Sequence, residues 1–167
     1  MADLPSTPAD GNVKVVLAPT IVNPLAPAVA ELTSAIDISL YLTSDGFTPG
    51  LSEQVIADER LASTATYEQP GRSSRTLDVI YIDNTNAANQ ATDNEAKDTL
   101  IPGESQYLVV RRGKAWDTAF ATGDKVSVWP IKAGQYSDLP PEANSVLKTA
   151  QKLFVTGEVV DGVVAGA

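Results

Sequence analysis

The chain of 167 residues contains no cysteine and no histidine. The first absence excludes disulfides, iron-sulfur clusters and thiolate zinc sites, and leaves the redox compartment open. The second removes the commonest general base and the commonest transition-metal ligand, and with them Ser-His-Asp and Cys-His catalysis. Aromatic residues make up only 6% of the chain, so Trp116, Phe120 and Trp129 read as core rather than as a sugar-binding platform. No apolar run approaches the length of a membrane span. The segment from Met1 to Gly11 carries Asp3 and Asp10 and lacks the basic region and apolar stretch of a signal peptide. No glycine-rich loop follows a strand and opens a helix. Basic residues are scarce, 12 against 21 acidic, which gives a formal charge of -9 and a pI of about 4.3. That balance disfavours binding nucleic-acid phosphates across a basic surface, although an acidic chain can still handle DNA by repelling it.

What is present suits one globular domain with a real core: 43% hydrophobic and 20% charged residues. Residues 1–12 are polar and contain proline, and read as a flexible N-terminal segment. Residues 13–160 read as the single domain, and 161–167 as a small-residue tail. The dominant stretch is Leu51 to Asn84, rich in Thr, Val, Ile and Tyr, which predicts one long β-hairpin folded at Gln69-Pro70-Gly71-Arg72. Its first arm, Glu53 to Glu68, has no Gly or Pro and would extend about 50 Å at about 3.3 Å per residue, against a radius of gyration of about 15 Å for such a chain. It therefore spans the domain or projects from it to meet another chain. Alternation puts Val55, Ala57, Leu61, Ala65 and Tyr67 on one face and Asp58, Arg60, Thr64, Thr66 and Glu68 on the other. An odd-numbered connection would set Leu61 opposite Tyr81 and Thr64 opposite Asp78, with Leu61, Tyr67, Val79 and Tyr81 facing inward.

Elsewhere Val13 to Leu17 reads as a strand, and Pro27 opens a helical turn through Leu32 with Glu31 near its positive end. Ile36 to Leu42 alternates as a half-buried strand ending at Ser44-Asp45-Gly46, with Thr48-Pro49-Gly50 a second turn. Thr92 and Glu95 form a capping-box signature for a short helix over 93–101, with Ala96 and Leu100 on one face and Pro102-Gly103 as the stop. Gln106 to Arg112 reads as a central strand. Lys125 to Gln135 reads as a strand confined to an edge or bulge by Pro130. Val146 to Val160 is the last strand segment, bent at Gly157. The class is mainly β: an antiparallel sandwich or open barrel with one short flanking helix and a long projecting hairpin.

Few residues suggest chemistry. Asp83-Asn84-Thr85-Asn86 has the oxygen-rich spacing of a calcium loop but lacks its glycine and distal glutamate, so it reads as a solvated turn. Asp58-Glu59, or Asp78 with Asp83, would suit acid/base work only if they faced each other in a pocket. Arg111-Arg112 is better read as a strand end or an internal ion pair than as a phosphate grip. The residues exclude enzymes more firmly than they indicate a function, and no catalytic residue, cofactor or metal site is assigned. The positive sign is geometric: unpaired strand edges on a domain-length hairpin suit completing a sheet with further copies.

The order of features resembles one family: the major tail, or tail tube, proteins of long-tailed, non-contractile bacteriophages, of the actinobacteriophage type. The features are Pro27 to Leu32 followed by Ile36-Asp37-Ile38-Ser39, then Gly46-Phe47, the hairpin with Pro70-Gly71-Arg72, the short helix before Pro102-Gly103, the Tyr107 to Arg111 strand and the closing Lys152-Leu153-Phe154-Val155-Thr156-Gly157. The resemblance covers nearly the whole chain. It implies a structural virion protein that forms hexameric rings, stacked as a tube through which DNA passes at ejection. Its partners would be further copies of itself, the tape measure protein and tail-end proteins. Localisation would be the virion, with assembly in the host cytoplasm and no membrane. The hairpin would then help build the inner barrel, with Asp58, Arg60, Thr64, Glu68 and Asp78 facing the lumen, Arg60 neutralised by an acidic neighbour, and Pro70, Gly71 and Arg72 at a subunit contact. The alternatives are a virion-surface decoration or carbohydrate-binding module, and a carboxylate-dependent hydrolase.

Overall fold

The computed structural model describes residues 3–166. Its strands are β1 (Val13–Ala18), β2 (Ile36–Asp37), β3 (Leu42–Asp58), β4 (Tyr67–Ile82), β5 (Ser105–Arg112), β6 (Lys125–Asp138), β7 (Lys148–Val155) and β8 (Val160–Val163). They form one antiparallel sheet in the order β2-β1-β5-β6-β7-β4-β3, with β8 pairing β6, curled into a half-barrel. Two short helices flank it, α1 (Val29–Thr33) and α2 (Glu95–Thr99). The mainly β class and the flanking helix expected from sequence are both present. The open barrel, rather than two separate sheets, is the form the chain takes.

Alternation along the strands sends side chains to two cores. Inside the curl, Val15, Leu17, Leu108, Val110, Ile131, Leu153, Leu77, Val79 and Tyr81 pack together, closed by Ile38, by Ala96 of α2 and by Leu100 just after it. On the outer face, Val16, Val109 and Val128 are covered by Ile21, Leu32 of α1, Phe120 and Val164. That outer cover stops at β6. The continuation of the same face across β6, β7 and β4 leaves Lys132, Phe154, Lys152, Asp78 and Thr76 exposed.

Several local expectations give way. After Asp37 the chain turns instead of continuing as a strand, with the Tyr41 N–H donating to the Ile38 carbonyl at 3.0 Å and the Ser39 hydroxyl taking the Val15 N–H at 2.9 Å. Ser44-Asp45-Gly46 and Thr48-Pro49-Gly50 are not hairpin ends. Both lie inside β3, the first as a bulge between the Leu42↔Tyr81 and Phe47↔Val79 pairs. A side chain at position 46 would meet the Ile80 carbonyl oxygen at 2.2 Å, so the bulge requires glycine. The helix begins at Glu95, not Asp93, and Thr92 does not cap it. Its N-cap is Asn94, whose Oδ1 accepts the Asn84 N–H at 3.0 Å, while the Thr92 hydroxyl donates to the Asn89 carbonyl. Val160–Val163, placed partly in the tail by sequence, is a strand on β6, and Val164 behind it is buried.

Pro130 was expected to confine its strand to an edge or a bulge and instead sits mid-sheet, ahead of the irregularity between Ala133 and Tyr136 and opposite Tyr107 of β5. β6 hands over there between two neighbours on its other side: β8 pairs as far as Val128, and β7 begins at Ile131. The Pro130 carbonyl accepts the Thr156 N–H at 2.9 Å in that gap. A strand residue points its N–H and C=O the same way, so the N–H that proline lacks would have faced the gap rather than a ladder partner. The prolines that do occupy edges are Pro49 and Pro70, in the hairpin.

Candidate assembly interface

The β3–β4 hairpin projects with much of its surface unsatisfied. β3 has 17 residues and β4 has 16. β7 pairs only with Leu77–Ile82 of β4, so beyond Leu77 the hairpin is a two-stranded ribbon with both outer edges free. Its apolar side chains have nothing to cover them: Leu51, Val55, Ile56, Leu61 and Tyr67 are all exposed, Leu61 fully.

The turn is at residues 59–66, with the Ser63 N–H donating to the Arg60 carbonyl at 3.0 Å. It is not at Pro70-Gly71-Arg72, which lies in β4. There Gln54 alone opposes Gly71 and Arg72 between the Glu53↔Ser73 and Val55↔Pro70 pairs. A side chain at 71 would come within 2.7 Å of the Gln54 carbonyl, which is why the bulge carries glycine. The connection is even-numbered, so unlike parity pairs at the tip, Asp58 with Tyr67 and Ala57 with Glu68, and the bulge restores like parity toward the base. The predicted Leu61 to Tyr81 and Thr64 to Asp78 pairs are therefore absent. Tyr81 faces Leu42 and Asp78 faces Thr48. Val79 and Tyr81 are fully buried as expected, whereas Leu61 and Tyr67 are not.

The five residues read as one polar row separate accordingly. Asp58 and Asp78 share a face, since Thr48, Gly50, Ser52, Gln54, Ile56 and Asp58 alternate along β3. Glu68 falls on the opposite face with Val55 and Leu51, and Arg60 and Thr64 sit in the turn. Arg60 is neutralised within its own chain by a bidentate pair with Asp58 at 3.1 and 2.9 Å, which holds its guanidinium above its ordinary range.

The base is stiffened by a polar network that sequence reading missed. Asp83, just past β4, accepts Lys97 of α2 at 2.5 Å, the Thr149 hydroxyl of β7 at 2.9 Å, and Thr85. Burial alone would push this carboxyl up, but these donors together hold it well below the usual carboxylate range. It is an internal anchor rather than the solvated turn the spacing suggested. The Tyr81 hydroxyl donates to Gln151 Oε1 at 3.1 Å, and Gln151 Nε2 donates to the Leu100 and Gly134 carbonyls. Only the oxygen-rich spacing around Asp83 hinted at this, because its partners lie far along the chain.

The other chemical candidates close off. Arg111 is buried and ion-paired to Asp124 at 3.2 Å, while Arg112 is exposed. Phe120 and Trp129 are buried, so no aromatic platform faces solvent there. Among the described residues no group of carboxylates is placed to hold a metal ion.

The fold is thus a half-barrel with a long free ribbon. The whole chain, residues 1–167, matches the phage tail tube protein family, to which it belongs. It is a structural component of a phage virion rather than an enzyme. No curated protein matches it. A chain in the cryo-EM structure of the anti-feeding prophage (AFP) baseplate, 6-fold symmetrised, has the same fold at a TM-score of 0.56 and 12% identity, over 93% of this chain and 96% of that one.

Proposed function

We propose that copies of this chain assemble into hexameric rings that stack as the tail tube of a long-tailed, non-contractile phage of the actinobacteriophage type, forming the conduit for DNA at ejection. The observation that carries this is the ribbon: two strands with free edges and exposed apolar side chains, marginal alone and satisfied by neighbours. Membership of the tail tube family supports it, and so does the occurrence of the same fold in an assembly solved with 6-fold symmetry. On this reading the bare face of β4, β7 and β6, continued by Asp58 along β3, lines the lumen. Pro70, Gly71 and Arg72 meet a neighbouring subunit as a bulge. DNA passes without being held, and the tape measure and tail-end proteins meet the tube inside and at its ends. Burial of Phe120 and Trp129 removes the main support for a carbohydrate-binding module.

Negative-stain microscopy of the purified protein across a concentration series tests the reading. Rings or tubes with a central hole are expected. A chain that stays monomeric at every concentration, or forms filaments without a hole, overturns it.

A further inference from the structure

Where the two ends of the curled sheet face each other without pairing, the half-barrel has a mouth. Two adjoining clefts of about 400 and about 620 Å³ open there, and both have Phe47 and Pro49 from β3 and Val110 and Arg112 from β5 in their walls, with Trp129 and Lys125 in the first. The lining is mostly apolar, and the cations are placed unusually. Arg111 pairs with Val126, so one step further in the same register sets Arg112 beside Lys125. Like charges directly across a ladder repel. Among the described residues neither has an ion-pair partner, and the nearby Asp161 carboxylate is already taken by the Ser127 hydroxyl at 2.8 Å. Asp161 in the first cleft and Asp10 in the second are carboxylates of the lining, and neither is ion-paired with Arg112 or Lys125.

The ribbon carries apolar side chains and carboxylates on one face. Leu51, Val55, Ala57 and Pro70 make an apolar row, and Glu53 and Glu68 stand among them, also without ion-pair partners among the described residues. We propose that the mouth of one copy receives this face of the ribbon of a second copy, with Glu53 or Glu68 meeting the Arg112 and Lys125 pair and Leu51 and Val55 covering Phe47 and Pro49. The ribbon of the same copy reaches its own mouth through Arg75, opposite Leu51, whose guanidinium lies over the Trp129 ring at 5.7 Å; β3 forms the wall at Phe47 and Pro49 and leads onward to Asp58, leaving Leu51 and Val55 exposed. The proposal rests on the self-assembly reading above and adds the docking surface and its partner residues.

Charge exchange tests it in the full-length chain. Glu53→Lys with Glu68→Lys, and separately Arg112→Glu with Lys125→Glu, are each expected to raise the concentration needed for assembly at least about tenfold while leaving the monomer's melting temperature nearly unchanged, since all four side chains are exposed. Mixing the two variants should restore assembly to within about threefold of the unaltered protein. If the Arg112 and Lys125 variant assembles normally while the unaltered chain forms tubes, the docking surface is wrong and the tube reading stands. A second measurement uses the natural absence of cysteine. Leu51→Cys combined with Ser127→Cys should give an intermolecular disulfide ladder on mild oxidation at high concentration. A ladder without any tube would keep the contact and overturn the tube, and no ladder in tubes would overturn the contact.

Discussion

The buried Asp124 carboxylate holds Arg111 at 3.2 Å, and the two close the loop between β5 and β6 over the outer core. Arg111 is spread over the Ala115, Thr118 and Ala119 carbonyls as well, and Lys114 reaches the second Asp124 oxygen. Asp124→Asn leaves a buried guanidinium without its counter-charge, which should cost about 3–5 kcal/mol in denaturant unfolding. Burial pushes the Asp124 carboxyl up, yet Lys114, the Ala121 N–H and Arg111 together hold it below its ordinary 3.8. A depressed folded value means the stabilisation is complete above the unfolded value and is lost as pH falls through the folded one. Stability should therefore decline below about pH 4, and the decline should be shallower in Asp124→Asn. An equal acid slope in both proteins would show that Asp124 does not titrate this way.

Leu61→Ala should change stability by less than about 0.5 kcal/mol, because the side chain is fully exposed in the turn. Leu153→Ala, at a fully buried site between β4 and β6, should cost about 2–5 kcal/mol. Comparable losses for the two in urea unfolding would mean that the turn is folded onto the domain.

Gly46→Ala forces a methyl group onto the Ile80 carbonyl. The cost should be about 1–3 kcal/mol, as for other overpacked sites. Thermal melting measures it, and an unchanged midpoint would show that the bulge rearranges freely.

Hydrogen exchange should divide the hairpin in the free chain. Amides of Leu77–Ile82, paired with β7, should be protected, and those of 67–74 should exchange quickly until assembly covers them. Equal protection of 67–74 in monomer and tube would remove the case for ordering on assembly.

The class of fold was legible because the continuous apolar runs of β1 and β5, buried on both faces, and the alternation in β7 report directly which side chains meet a core. The hairpin was legible as an element but not in its register. Pro-Gly reads locally as a turn, and nothing local reveals that Gln54 opposes Gly71 and Arg72 in a bulge, or that an edge strand accepts Pro49 without breaking. Pro130 misled for the converse reason: the gap that tolerates it is made by β7 and β8, far along the chain. Leu61 and Tyr67 carried an inward-facing pattern, yet both lie on a projecting ribbon and are exposed. The Asp83 and Asp124 anchors were legible only as hints, the oxygen-rich spacing around Asp83 and the internal ion pair open to Arg111, since the partners depend on pairing that brings Lys97 and Thr149, or Arg111, to a carboxylate.

The bare face of β4, β7 and β6 bears on how a tube would treat DNA. Asp78 lies opposite Lys152, and Lys132 lies opposite Phe154, so this wall is mixed in charge rather than purely acidic. DNA carries one charge per about 1.7 Å of axis, and a net basic surface repeated around a tube would multiply counterion release into a strong hold. Asp78, across the ladder from Lys152, offsets its charge on this face. Asp78→Lys should leave folding and tube assembly nearly unchanged, because the side chain is exposed. It should slow DNA release from virions at low salt, with the rate recovering as the Debye length falls from about 10 Å at 0.1 M toward about 3 Å at 1 M salt. Lys132→Glu with Lys152→Glu, which makes the wall acidic, should release DNA at least as fast as the unaltered tail and with weaker salt dependence. Release by Asp78→Lys virions at the unaltered rate in low salt would place this face away from the lumen.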